Sequence, residues 1–308
     1  MSVLRTIRRG VIRAAGLEGS RTAGAVAQAL RAHAPESVAE GRLVRTLGLA
    51  LDPVADAWIV AAVPMLAELV RYRGFSVERT GEGLRVAREG ARFDVRSPLE
   101  VGVVHDIYGR DGYRLVAQGP LTVVDIGANI GVASVYFARE LGARVVGFEL
   151  VPALAERAAA HLALNGVMER AEVRAAGLGR SGARVEVPFS AEHAASTSLH
   201  GRAVEGATET VACEIVAVAE ALPTILGAAE GAVWVKLDCE GSEYEILAAM
   251  DEAGLLGRIE GFLMEYHEIA GGYGRAWIEP FLSERGFVVH GRSRPGSDHE
   301  LLAAFRRG

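Results

Sequence analysis

Hydrophobic positions change their spacing along this chain, and the changes divide it. Through residues 1 to about 74 they recur at helical intervals, in MSVLRTIRRGVIRAAG, AGAVAQALRAHA and ADAWIVAAVPMLAELVRYRG, which predicts a helical extension without a chemical motif. From Phe75 apolar and polar positions alternate in FSVERTG, GLRVAREG and ARFDVRS, with glycines between them, and these read as short strands. The segment VVHDIYGRDGYRLVAQG, residues 103–119, then leads into the main core. The predicted organisation is therefore 1–74, 75–119 and 120–308.

In the third region short apolar runs alternate with helical stretches. LTVVDIG, ARVVGFEL, AEVRAAGLG, TVACEIVAV, AVWVKLDC and IEGFLMEYH read as strands, separated by a polar excursion before TVACEIVAV. ANIGVASVYFARELG, PALAERAAAHLALNG, SEYEILAAMDEAG and GRAWIEPFLSERG read as helices, the second opened by Pro152. FVVHGRSRPGSDHELLAAF reads as two strands around a Pro-Gly turn. This alternation predicts an α/β fold, with a mainly parallel sheet covered by helices on both faces and a mixed edge made by the final hairpin.

The first strand of that core ends in VVDIGANIG. Gly127 permits a backbone state closed to other residues, and Gly131 permits close packing in the first helical turn. The next strand ends in Glu149, 24 residues after Asp125, where a carboxylate can accept hydrogen bonds from both hydroxyls of a ribose. An adenosine-containing cofactor follows. A dinucleotide turn needs glycine where this chain has Asn129, and a carboxylate at Asp125 repels a pyrophosphate but suits an ammonium. S-adenosyl-L-methionine is thus favoured over a nicotinamide dinucleotide.

The second charged strand end is WVKLDCEGSEYEIL, residues 234–247. Strand alternation puts Trp234, Lys236 and Asp238 on one side and Val233, Val235 and Leu237 on the other. Ser242 with Glu245 three residues on resembles a capping box, and Glu243 falls in the first helical turn, where negative charge is favourable. Asp238 and Glu240 have no such structural task. Lys236 either pairs with a carboxylate at the sheet edge or meets substrate directly. Paired with Asp238, it would keep that acid ionised. His267 follows GFLMEYH and is the best local candidate for a general base, with Glu265 on the same side to orient it or bind substrate. Asp238, Glu240, Glu265 and His267 are all of metal-ligating type, but their spacing matches no metal motif and no metal is expected.

These motifs resemble those of the FkbM-type S-adenosylmethionine-dependent methyltransferases. The resemblance covers roughly Val103 to the C-terminus and rests on VVDIGANIGVASVYFA, FEL at 148–150, KLDCEGSEYEIL and LMEYH at 263–267. It implies the class I methyltransferase fold, a Rossmann-like, mixed but mainly parallel seven-stranded sheet, with the strand ending at Lys236 and Asp238 beside the one ending at Asp125. It implies cofactor contacts from Asp125, Gly127, Ala128, Asn129, Gly131, Glu149, Leu150 and Asp238, with Tyr108 and Tyr113 of IYGRDGYRL covering the cofactor's amino-acid end. Family members often continue the strand after the excursion into a Thr-Leu-Asp triplet; this chain has Ala217-Val218-Ala219 there. The helical extension also lies outside the shared pattern, so a substrate cannot be carried over.

Composition adds exclusions. The net charge of −6 argues against a nucleic-acid partner. The longest apolar run, AWIVAAVPMLA, is too short to cross a bilayer and contains Pro64. No secretory leader is evident, and Cys213 and Cys239 form no CxxC pattern, which together suit a cytoplasmic protein. Lys236 is the single lysine among 33 basic residues, so arginine counts carry little functional weight. The expected activity is methyl transfer from S-adenosylmethionine to a hydroxyl of a small molecule such as a sugar or secondary metabolite. The alternatives are a nicotinamide-dependent oxidoreductase and a noncatalytic binding protein. Polar residues of the excursion, Glu192, His193, Ser196, Thr197, Ser198 and His200, could contact substrate, and the N-terminal helices could form a homodimer.

Overall fold

The computed structural model describes residues 43–44, 46–52, 55–115, 118–190, 209–293 and 300–306. The helices expected before residue 43 and most of the polar excursion lie outside the described residues. The chain divides into two compact units after Gly112.

The first unit holds a short hairpin of β1 (Leu43–Val44) and β2 (Leu49–Ala50), helix α1 (Ala57–Arg73), and an antiparallel sheet of β3 (Ser76–Arg79), β4 (Leu84–Arg88) and β5 (Ala91–Val95). Helix α1 buries Ile59, Val60, Val63, Leu66 and Leu69 and stops at Gly74, whose φ of 70° is the left-handed state that ends helices. It packs on β3 and on helix α2 (Pro98–Val104), which runs on into a π-helical turn, His105–Gly109. The division expected near residue 74 therefore falls inside a single unit. The sequence pattern passed over α2, although its start is signalled locally. Pro98 fits the first helical position, and the Ser97 hydroxyl accepts from the Glu100 N–H at 3.3 Å.

The second unit is built on β6 (Leu121–Ile126), α3 (Val132–Glu140), β7 (Arg144–Phe148), α4 (Pro152–Leu164), β8 (Ala171–Arg174), β9 (Gly177–Gly179), β10 (Ala183–Phe189), β11 (Glu209–Ala217) and α5 (Val218–Gly227). It continues with β12 (Ala232–Leu237), α6 (Glu243–Glu252), β13 (Gly261–Glu265), α7 (Arg275–Ser283), β14 (Phe287–Ser293) and β15 (Glu300–Arg306). Seven strands form the main sheet in the order β14-β15-β13-β12-β6-β7-β8. Neighbours from β13 to β8 are parallel, while β15 runs antiparallel to both β13 and β14. This is the mixed, mainly parallel sheet the sequence implies. The antiparallel strand is β15, inserted one place inside the edge rather than on it.

Two strand readings change. AEVRAAGLG is two strands, because the chain leaves the main sheet after β8 and β9 joins a separate three-stranded sheet with β11 and β10. The beginning of the polar excursion, ARVEVPF, is strand β10, paired antiparallel with β11. The core lies between the main sheet and α5, α6 and α7, where Val233, Val235 and Leu237 of β12 meet Leu222, Ile246, Leu247, Met250 and Ile278. The opposite face of β12 carries Trp234, seated over Gly261 of β13, where a Cβ would lie 2.7 Å from the indole. Alternation along β12 thus follows the sequence pattern. The β6–β12 register sets Lys236 directly beside Asp125, so the two charged strand ends meet at one edge of the sheet.

Candidate active site

Beyond β6 the chain turns through Gly127, Ala128 and Asn129. The N–H groups of Gly127 and Ala128 both donate to the Phe148 carbonyl, at 2.9 and 3.0 Å, which presses the turn onto the end of β7. Positive φ values at Gly127 (81°), Asn129 (51°) and Gly131 (81°) give the turn its shape. At Gly127 the reason is proximity as well as conformation: an added Cβ would stand 1.8 Å from the Asp238 carbonyl oxygen. At Gly131 it would stand 2.9 Å from Ala158, so this glycine serves the packing of α3 on α4. Ala128 packs beside Gly147, and Leu150 rests on Gly177, each filling space left by a missing side chain.

Glu149, at the exit of β7, is buried. One carboxylate oxygen accepts the Asn129 N–H at 2.7 Å and the other the Val151 N–H at 3.0 Å. Burial raises its pKa, an effect that these two bonds only partly offset. Each oxygen of a carboxylate has two acceptor sites, so Glu149 can hold the turn and still receive two vicinal hydroxyls. That donor–acceptor match fits a nucleoside ribose. S-adenosylmethionine would therefore be held here by Glu149 and the Gly127–Asn129 turn.

Asp125 is engaged by groups of the chain itself. It is fully buried, accepts the Ser134 hydroxyl at 2.6 Å, and pairs with Lys236 Nζ at 3.2 Å. It braces the first turn of α3 and the ammonium of Lys236. Lys236 is enclosed too, donating to the Gly127 carbonyl at 2.5 Å and lying 3.8 Å from Asp238. Burial alone would lower its pKa, but Asp125 and Asp238 outweigh this and hold it raised. Of the two roles open to Lys236, the geometry gives the ion pair: it ties β12 to the turn after β6, with Asp125 rather than Asp238 as the nearer partner. Tyr113 completes this corner, its hydroxyl 3.4 Å from Asp238 and its ring 5.8 Å from the Lys236 ammonium. Tyr108 belongs to the first unit, where its ring packs on Phe75 and Phe93 and under the Arg88 guanidinium.

The turn after β12 brings a second group together. Glu240 has a φ of 51°, an uncommon conformation for a residue with a side chain. Glu243 is fully buried at the start of α6. Its carboxylate accepts the N–H groups of Cys239 at 2.8 Å and Gly241 at 3.0 Å, and bonds His267 Nδ1 at 2.9 Å. His267 Nε2 lies 3.5 Å from Glu240. Burial would depress the imidazole pKa, but the bond to Glu243 and the charges of Glu240 and Asp238 carry it up to about 9. One atom each of Asp238, Glu240 and His267 falls within 4.8 Å of the others.

These contacts bear on three readings. The Ser242–Glu245 capping box is not formed: Ser242 makes no side-chain capping bond, and Glu245 instead accepts the Arg180 N–H at 2.9 Å. An acid that the sequence reading had not joined to His267 orients it: Glu243 bonds its Nδ1, while Glu265 ends β13 in register with Leu301 of β15. A neutral imidazole near pH 7 is also not what this surrounding favours, since acids face both ring nitrogens. Glu243 and Ser134 are the polar residues the sequence reading left out of the site. Glu243 was legible only as a first-turn acid, because nothing in its spacing shows that it is buried against a histidine 24 residues on.

A profile of the Methyltransferase FkbM domain matches residues 125–289, more than half the chain. The AMB antimetabolite synthetase AmbE of Pseudomonas aeruginosa is 28% identical over 326 aligned residues, covering 92% of this chain but only 15% of that protein. Among solved structures, the N-terminal domain of human METTL16 in complex with SAH shows 11% identity and a TM-score of 0.39, covering 80% of each chain. A second structure of that human domain shows 11% identity and a TM-score of 0.40, covering 94% of each chain. Among the described residues no helix is long and apolar enough to cross a membrane. With its turn after β6, its acid after β7 and its Lys-x-Asp-x-Glu-Gly edge inside the matched region, the chain belongs to the FkbM methyltransferase family, whose methyl donor is S-adenosylmethionine.

Proposed function

We propose that this enzyme methylates a hydroxyl oxygen of a small molecule, in the class of sugars and secondary metabolites. The observation that carries this reading is the meeting of Asp238, Glu240 and His267 beside the cofactor turn. Carboxylates there accept hydrogen bonds from hydroxyls, and an imidazole that is held charged donates one, so the edge recognises a polar oxygen acceptor. The net charge of −6 favours a small acceptor over a polyanion, and the antimetabolite synthetase among its relatives supports a metabolite.

When bound, S-adenosylmethionine would supply a methyl carbon activated by its positive sulfur, available for transfer to the acceptor oxygen with the bonding electron pair left on sulfur. The chain's own residues align and shield. Glu149 and the Gly127–Asn129 turn fix the nucleoside end, while the Lys236–Asp125 pair locks the two strand ends to one another. Partly exposed Glu240 accepts the acceptor's hydrogen bond and holds its proton at the carboxylate before release to solvent. For a displacement at an activated carbon, alignment of this kind supplies much of the rate.

The test is incubation with methyl-labelled cofactor and separate panels of hydroxylated metabolites, amines and RNA. Mass spectrometry should locate the label on an oxygen of a small molecule. Label only on nitrogen, or only in RNA, overturns the reading.

A further inference from the structure

We infer that Asp238, Glu240 and His267 form a binding site for a divalent first-row cation. Ligand atoms about 2.1 Å from a common ion stand roughly 3–4 Å from one another. The three atoms here already lie within 4.8 Å of one another, close to that spacing. One imidazole and two carboxylates suit manganese or another first-row ion better than a soft thiophilic one.

The support behind the histidine points the same way. His267 is buried, and its Nδ1 is bonded to Glu243, which is itself anchored by two backbone N–H groups. That leaves Nε2 directed at Glu240, where a bound cation takes the place of the Nε2 proton, which is released to solvent. A carboxylate behind a histidine in this manner fixes the ring and makes its other nitrogen a better metal ligand. A hydrogen-bonded strand cap would need neither the buried acid nor its double anchor.

Asp238 and Glu240 have side-chain exposures of 30% and 20%, so the outer coordination positions face solvent and can accept oxygen atoms from another molecule. If the edge is the acceptor site proposed above, the acceptor would be one that chelates through two oxygens, such as a vicinal diol or an α-hydroxy acid. A hydroxyl on the cation would lose its proton more readily. This consequence rests on the methyl-transfer reading; the cation site itself does not.

The experiment is titration of the full-length protein with Mn2+ alone, without cofactor or acceptor, followed by calorimetry and electron paramagnetic resonance. One saturable site is expected, with nitrogen coupling from an imidazole that vanishes in His267→Gln. Glu240→Gln and Asp238→Asn should each weaken binding at least tenfold. Glu243→Gln leaves all three ligands in place and should weaken it roughly ten- to a hundredfold. Thermal unfolding of each variant shows that it is folded, and Asp238→Asn, at the most exposed of the three ligands, decides the case if a more buried variant is not. Absence of saturable binding up to millimolar Mn2+, or unchanged affinity in both Glu240→Gln and Asp238→Asn, overturns the inference. Failure to methylate any oxygen acceptor would refute the proposed function while leaving this titration unaffected.

Discussion

Glu149 holds a turn with one carboxylate and has acceptor capacity to spare, which makes it a sharp probe of the proposed cofactor site. It holds the backbone of Asn129 and Val151 and has acceptor capacity left for a ribose. Glu149→Gln keeps the size but offers one acceptor oxygen, and its amide nitrogen must confront one of the two backbone N–H groups. S-adenosylhomocysteine affinity should fall by about 1.5–3 kcal/mol, roughly ten- to a hundredfold, as expected for hydrogen bonds to a charged group. Calorimetry measures it, and unchanged affinity would remove Glu149 from the site. Lys236 is informative for the opposite reason. In a chain that otherwise uses arginine throughout, the one lysine reaches a carbonyl at 2.5 Å and two carboxylates in different directions. A compact ammonium with three donors can serve all of them from one buried point, whereas a planar guanidinium fork cannot.

Strand ends, turns and helix starts carry the site, and their tolerances differ. The β6–α3 turn is pressed against the β12 exit at Gly127, where both the left-handed backbone and the neighbouring Asp238 carbonyl exclude a side chain. Gly127→Ala should cost at least ~2 kcal/mol, combining left-handed strain with a backbone clash. Gly254, at the end of α6, has a φ of 67° but nothing within 4 Å of an added Cβ. Gly254→Ala should therefore cost only the conformational part, about 1–2 kcal/mol. Urea unfolding of the two variants separates these effects, and equal losses would show that proximity to Asp238 is unimportant. The α6 start shows the limit of local rules. An acid in a first helical turn is ordinarily explained by the helix dipole, yet Glu243 is buried and serves the preceding turn and a histidine from another strand.

At the scale of the whole molecule, the second unit is compact in itself, and among its described residues one hydrophobic core draws on positions from Val124 to Ala304. Residues 113–308 produced alone should therefore unfold in one cooperative transition followed by circular dichroism, whereas a gradual, noncooperative loss would mean that the first unit is required for folding. The sequence by itself determined the α/β alternation, the two charged strand ends, the family and its methyl donor. These are properties of short segments: a period of two or 3.6, a glycine turn, an acid at a strand exit. Tertiary structure alone decided that Asp125 and Lys236 face one another inside the sheet edge, that β9 leaves the main sheet, and that Glu243 stands behind His267. Each of these depends on register or burial between residues far apart in the chain, and the spacing of residues along one strand or helix carries no information about what packs against it.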